Sequence, residues 1–213
     1  MRIVCISDTH GMHDALELPA GDVLVHAGDM TAMGRPDQVA AFGEWLQTQS
    51  YAHKVVIAGN HDWMFVDDRE RAVGLLGPDV IYLQDSGCQI EGLEFWGSPW
   101  QPEFFDWAFN LPRKGPELRE LWARIPESTD VLVTHGPPYG TRDACPDFAT
   151  REMTSVGCEL LRDRLGALSV RAHVFGHIHE GHGLTEGPAH VSVNASICDG
   201  RNRVGNEPIV IEL

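Results

Sequence analysis

The chain has 213 residues, 43% of them apolar, enough to bury a full core in one domain over residues 1–213 without metal or disulfide staples. Acidic residues outnumber basic ones 31 to 16, a formal charge of −15 with only Lys54 and Lys114 as lysines, which argues against a binder of long DNA or RNA. No run approaches the roughly 20 apolar residues needed to span a bilayer, and the chain reaches Asp8 too soon for a signal peptide, so a cytoplasmic protein without membrane contact is expected.

The first sixty residues repeat one theme three times, a short apolar run ending at a polar group: Ile3 to Ile6, Val23 to Val25, and Val55 to Ala58. Each reads as a buried strand. Between the second and third, Pro36 to Gln49 carries Val39, Phe42, Trp45 and Leu46 at helical spacing, and strand, helix, strand implies parallel pairing. The acidic and basic run Asp67 to Arg71 reads as a solvated helix start. After Gly77-Pro78 the pattern changes to closely spaced strands, Val80 to Leu83 and Gln89 to Trp96, consistent with a meander or hairpin.

Gly97 to Pro116, rich in Pro, Trp and Phe without a clean period, reads as an ordered cover, with packing favoured over a lid for Trp100, Phe104, Phe105 and Trp107. A helix over Glu117 to Arg124 and a strand from Val131 to Thr134 follow, and Thr150 to Leu165 has the spacing of another helix. Val174-Phe175 runs into Gly176-His177-Ile178-His179, and His190 to Ala195 and Ile209 to Leu213 return to strands. The five cysteines are odd in number and hold no Cys-x-x-Cys, so they read as reduced thiols, with Cys5 and Cys198 as core fillers.

Chemistry collects where the apolar runs end: Asp8 and His10, Asp29 after Gly28, Asn60 with His61, His135, and the pair His177 and His179. In an open parallel sheet the carboxyl ends of strands face one crevice, so these groups converge there. Singly, each has a plainer reading: His135 as a bonded structural histidine, Asp8 and Asp29 as caps or turn formers, Gly28 and Gly176 as strand-end glycines. Five such ends in one chain outweigh those readings. Asp-x-His and His-x-His place alternate residues on the same side of an extended segment, and the mixed O/N donor set suits Mn, Fe, Zn, Co or Ni. Eight contacts from seven residues require one shared carboxylate, and Asp29 is the natural bridge. Two cations roughly 3.5 Å apart make a nucleophile at neutral pH and clamp the oxygens of an in-line displacement, and they supply the positive charge that the side chains lack. Walker A, Gly-x-Ser-x-Gly and Gly-x-Gly-x-x-Gly signatures are missing from the sequence.

These residues resemble the calcineurin-like metallophosphoesterases in their order: Asp8-Thr9-His10, Gly28-Asp29, Gly59-Asn60-His61-Asp62, Thr134-His135-Gly136 and Gly176-His177-Ile178-His179. The resemblance implies an α/β fold, a four-layer αββα sandwich with mixed sheets. It also implies one metal held by Asp8, His10, Asp29 and His179 and another held by Asp29, Asn60, His135 and His177, most simply Mn or Fe, with Zn, Co, Ni or Mg as alternatives. By the same resemblance Asn60 and His61 contact substrate, His61 protonates the leaving oxygen, and Asp62 orients His61 or a water, unless it is a helix cap. A closer likeness is to the small metallophosphoesterase-domain branch that includes brain-expressed animal proteins, through Gly97-Ser98-Pro99-Trp100, Phe109-Asn110-Leu111-Pro112-Arg113 and His135-Gly136-Pro137-Pro138-Tyr139-Gly140. That branch implies phosphodiesterase activity on small phosphodiesters, cyclic nucleotides foremost, by attack of a hydroxide bridging the two metals. Phosphomonoesterase activity and a nucleotide-binding scaffold are the rival readings, and the oligomeric state is left open. Asn110, Arg113, Arg142 and Asn194 are further candidates for substrate contact.

Overall fold

A computed structural model describes residues 1–147 and 149–213. Its strands and helices run β1 (Arg2–Ile6), β2 (Val23–Ala27), α1 (Pro36–Thr48), β3 (His53–Ile57), α2 (Met64–Asp67), α3 (Arg69–Leu76), β4 (Val80–Tyr82), β5 (Ser86–Ile90) and β6 (Leu93–Ser98). They continue as β7 (Gln101–Pro102), β8 (Asn110–Leu111), α4 (Pro116–Ala123), β9 (Val131–Thr134), β10 (Ala144–Pro146), β11 (Met153–Ser155), α5 (Glu159–Leu165), β12 (Ala172–Phe175), β13 (Gly183–Glu186), β14 (Val191–Asn194) and β15 (Ile209–Glu212).

Two mixed sheets carry the fold. The first has the order β15-β1-β2-β3-β4 and the second β13-β14-β12-β9-β6-β5. Pairing is parallel through β1-β2-β3-β4 and through β14-β12-β9-β6, with antiparallel strands at the edges. Strand periodicity explains the layering, since alternate side chains leave opposite faces. Ile3 and Cys5 join Val25, Ile57, Phe95, Val131 and Val174 in a core made by residues of both sheets. Val4 and Ile6 instead pack with Val39, Phe42 and Leu46 of α1 and with Leu76 of α3. On the second sheet, Leu132 points the other way, to Leu118 and Trp122 of α4 and Leu161 and Leu165 of α5. Helix, sheet, sheet, helix is the four-layer αββα sandwich that the motifs imply. Among the described residues no helix is long and apolar enough to cross a membrane.

One expected element is different. The segment read as a helix from Thr150 forms a hairpin of β10 with β11, and α5 begins only at Glu159. The cause lies at Asp143, whose carboxylate accepts the amides of Gly140 and Gly157 and whose carbonyl accepts that of Val156. These bonds hold the chain out of helical geometry until residue 158, where the Cys158 sulfur caps α5 through the Leu161 amide. Gln101 and Asn110 meet in the short parallel pair β7-β8, so the aromatic cover is ordered as expected.

Candidate metal centre

The ends of β1, β2 and β3 and those of β9 and β12 meet along one edge of the sandwich. Ser7, just past β1, bridges to Ser196, just past β14, and the Ile197 amide donates to the Ser7 carbonyl, tying the two sheets together here. The chain turns abruptly where it leaves the strands: Asp8, His10, Asp29 and His177 all have positive φ, from 44° to 66°. Such values are uncommon outside glycine and are concentrated at functional positions, where the surroundings fix them. Gly28 has φ +98°, and a Cβ there would lie 2.6 Å from His135 Nδ1. A Cβ on Gly176 would lie 2.1 Å from Asp8 Oδ2, so these glycines are more than turn formers: they leave the room that the neighbouring ligand-type side chains occupy.

Asp29 is central. Its Oδ1 accepts the His61 amide at 2.8 Å, while Oδ2 faces three imidazoles, with His135 Nε2 at 3.4 Å, His10 Nε2 at 3.9 Å and His61 Nε2 at 4.0 Å. Asp8, fully buried, accepts the His177 amide and the Ser196 hydroxyl, with His179 Nε2 3.5 Å from Oδ1. Asn60 Oδ1 is 2.9 Å from His135 Nε2, and the His135 and His177 rings stand 5.1 Å apart.

Three histidines are oriented alike. His135 Nδ1 meets the Ala27 carbonyl at 2.9 Å, His179 Nδ1 that of Asp199 at 3.1 Å, and His61 Nδ1 that of Ala32 at 2.8 Å. A carbonyl only accepts, so each Nδ1 carries the proton and each Nε2 is turned to the centre, the arrangement that supports metal-binding imidazoles. Three sets, Asp8/His10/His179, His10/Asp29/His61 and Asp29/His135/His177, each bring their donor atoms within 4.8 Å of one another. His10 and His179 bring their Nε2 atoms to 3.4 Å, close enough to share a proton or to ligate one cation together. Carboxylate, amide and imidazole donors without a thiolate, grouped around one shared Asp, fit a pair of borderline divalent ions.

Charge follows the same geometry. Burial pushes Asp29 up, but the charge and hydrogen bond of His135, with His10 and His61, outweigh it and hold Asp29 below the ordinary carboxylate range. Burial opposes ionisation of Asp8 too, and His179, His135 and His10 together overcome it. Burial lowers His135, yet the charge and hydrogen bond of Asp29 carry it up to about 9; Asp8 does the same for His179, also to about 9. Burial and then the charge of His135 push His177 down to about 3.

Asp62 is placed differently from the expectation. Fully buried, it accepts the amides of Met30, Thr31 and Gly59 and the Thr31 hydroxyl, whereas the His61 ring is held by Ala32. It therefore pins the Asp29 and Asn60 loops to each other instead of orienting His61. Burial and the nearby Asp29 raise its carboxyl to about 6, against the donors of Thr31 and Gly59.

The centre lies in a cleft of about 700 Å³. One wall is the segment 101–107, where Trp107 lies against His61 with ring centroids 4.1 Å apart and planes tilted by 32°. The packing role read for Trp107 is thus against a site residue. The lining also includes Arg151 and Thr154. Of the further candidates, Arg113 is bound to Glu159 and the carbonyls of Gly157 and Val156, and Arg142 to Thr185 and the carbonyls of His182 and Leu184. Asn194 is fully buried, donating to the Ile178 and Arg142 carbonyls, and Asn110 donates to those of Phe104 and Phe105. All four brace loops. Sequence reasoning passed over Gln101, which lines the cleft and bonds Asn60; a lone Gln between Trp100 and Pro102 carries no chemical signal.

The family profile of calcineurin-like phosphoesterases matches residues 1–181. Human and mouse Metallophosphoesterase domain-containing protein 1 are each 44% identical over 237 residues, covering 100% of this chain and 71% of theirs. A UPF0046 protein of Caenorhabditis elegans is 35% identical, covering 99% of this chain and 74% of its own. The crystal structure of TT1561 of Thermus thermophilus is similar in fold, with a TM-score of 0.64 at 15% identity, over 91% of this chain and 88% of that one.

Proposed function

Because the chain belongs to the calcineurin-like phosphoesterase family, whose members are metal-dependent phosphoester hydrolases with a dinuclear centre, we propose that it hydrolyses small phosphodiesters, cyclic nucleotides foremost. The observation that carries this reading is the convergence of the donor sets on Asp29 at the floor of a nucleotide-sized cleft, with His61 Nε2 turned inward beside them. Asp8, His10, Asp29 and His179 would hold one cation, and Asp29, Asn60, His135 and His177 the other; the donor chemistry suits Mn, Fe, Zn, Co or Ni, and the family resemblance favours Mn or Fe. When bound, the pair supplies positive charge for the phosphoryl oxygens and a water acidic enough to attack at neutral pH.

The rest is the work of side chains. Ala32 fixes the His61 tautomer, so a protonated His61 delivers the Nε2 proton to the leaving oxygen, the part a general acid plays. Trp107 packs against the His61 ring and offers an apolar wall to the ester substituent. Arg151 brings a positive charge to a cleft in a chain of net charge −15, a balance that suits a small anion better than a long nucleic acid.

Reconstitution with Mn or Fe, followed by a panel of 2′,3′- and 3′,5′-cyclic nucleotides, an aryl diester and an aryl monoester, tests the proposal. Higher kcat/KM on diesters supports it. Preference for the monoester replaces it with phosphomonoesterase activity, and two bound cations without turnover on either class leave the nucleotide-binding scaffold.

A further inference from the structure

A chain of three amides runs from the rim of the cleft to its floor. Asn110 Nδ2 donates to the carbonyls of Phe104 and Phe105, each at 3.1 Å. Gln101 Nε2 then donates to Asn110 Oδ1 at 3.2 Å and to Asn60 Oδ1 at 3.3 Å. Both Gln101 and Asn60 are buried.

The direction of this chain is dictated from one end. Main-chain carbonyls can only accept, so Asn110 must turn its NH2 toward Phe104 and Phe105 and its oxygen toward Gln101. Gln101 must answer with its NH2, whose second hydrogen is left for Asn60. Asn60 must then present oxygen, because an NH2 facing the NH2 of Gln101 would set donor against donor. Among the described residues Gln101 Oε1 is left buried without a partner, the cost of keeping Nε2 between two oxygens. Only the oxygen of an amide can ligate a cation. His135 Nε2 also faces Asn60 Oδ1, at 2.9 Å, but as a ligand that nitrogen would use its lone pair on the metal and carry no proton. With the metal bound, Gln101 is the donor that remains.

We propose that Gln101 and Asn110 are positioning residues that lock the Asn60 oxygen toward the cation shared by Asp29, Asn60, His135 and His177. The inference rests on the two-cation reading above and adds the groups that select the ligand atom. One lone pair of Asn60 Oδ1 takes the Gln101 hydrogen and the other is left for the metal.

Titration with Mn2+ alone, followed by electron paramagnetic resonance, tests this without any substrate. In Gln101→Met, which keeps the bulk and removes the donor, the first Mn2+ binds as in the wild type. The second binds about 10- to 100-fold more weakly, as for the loss of a group that orients a ligand, and the exchange-coupled signal of the pair is lost at Mn2+ levels that saturate the wild type. Asn110→Leu frees Gln101 to flip, weakens the same second cation by less, and carries the test if Gln101→Met does not fold. The double variant binds no more weakly than Gln101→Met, since both act along one path. Wild-type affinity for both ions in the variants, equal weakening of both ions, or additive losses overturn the proposal. A wild-type protein that never holds a second Mn2+ instead overturns the two-cation reading itself.

Discussion

The floor of the cleft hangs from strand ends and its walls from loops, and the two are braced in opposite ways. On the floor, backbone groups hold ligand-type side chains: Asp29 Oδ1 takes the His61 amide, Asp8 takes the His177 amide, and carbonyls fix His135 and His179. Around it, long polar side chains hold backbone: Arg113 in the cleft wall holds the carbonyls of Val156 and Gly157, and Arg142, in the loops outside the cleft lining, those of His182 and Leu184. Floor side chains are therefore presented to a ligand with one face free, whereas the Arg113 and Arg142 guanidinium groups are already used up. Substitution on the floor should damage chemistry first, and substitution of the surrounding arginines stability or substrate affinity.

Asp29→Ala tests the floor most severely. It removes the carboxylate that three imidazoles share, so neither cation keeps its full set, and turnover should fall by about 10⁴-fold, roughly 5 kcal/mol of barrier. Unchanged turnover by the folded variant would falsify the account of the centre. Next in size is a proton linkage. With folded values near 9, His135 and His179 are protonated in the metal-free centre at pH 7 and would release those protons to solvent as the cations bind. Below pH 9 each such proton costs about tenfold in affinity per pH unit, so metal loading weakens as pH falls. Calorimetry at pH 7 in buffers of different ionisation heats should detect about two protons released on loading; none released would mean that the carboxylate pairing does not hold these histidines charged.

His61→Ala separates floor chemistry from floor architecture. A general acid is worth roughly 10²–10⁴-fold, and the loss should appear on diesters with poor leaving groups and nearly vanish on those with good ones. Equal losses across the series would take His61 out of the acid role. Gly176→Ala probes the architecture, because its Cβ would press on Asp8 Oδ2 and Ser7 Oγ. About 1–3 kcal/mol of stability should be lost, seen as a lower melting temperature without metal. Gly74→Ala, on exposed α3 with nothing near the added carbon, should instead gain up to about 1 kcal/mol. If the two melt alike, close packing around Asp8 is not what requires glycine at 176.

The same contrast governs how much could be read from sequence. Floor residues were legible because each ends an apolar run, so strand periodicity and the geometry of parallel sheets carry Asp8, Asp29, Asn60, His135 and His177 to one edge without knowledge of any contact. Wall roles were not legible, because they depend on bonds between residues far apart in the chain. Arg113 meets Glu159, and Arg142 meets Thr185, and neither spacing has a period. The helix expected from Thr150 failed for this reason: local spacing favoured it, and Asp143 overrode it from outside the window. Asp62 shows the same limit within a motif, since its neighbour His61 suggested a shared role while its bonds run to Met30 and Thr31, 32 and 31 residues away.

Arg151 is the exception among the wall cations, and it gives the finest test of the contrast. It lines the cleft, but among the described residues its guanidinium has neither an ion pair nor a hydrogen bond, unlike Arg113. Its backbone has φ 62°, and its amide donates to the Asp147 carbonyl. An exposed charge acting on an anion in water contributes little, about 0.2–1 kcal/mol, and salt screens it. Arg151→Ala should therefore raise KM for an anionic diester by no more than about fivefold, leave kcat and the melting temperature unchanged, and lose its effect in high salt. Arg142→Ala should do the reverse, lowering the melting temperature with KM intact, because its guanidinium is spent on Thr185, His182 and Leu184. A fall in kcat for Arg151→Ala would move that residue from recognition into the chemical step, and the division between floor and wall would have to be redrawn around it.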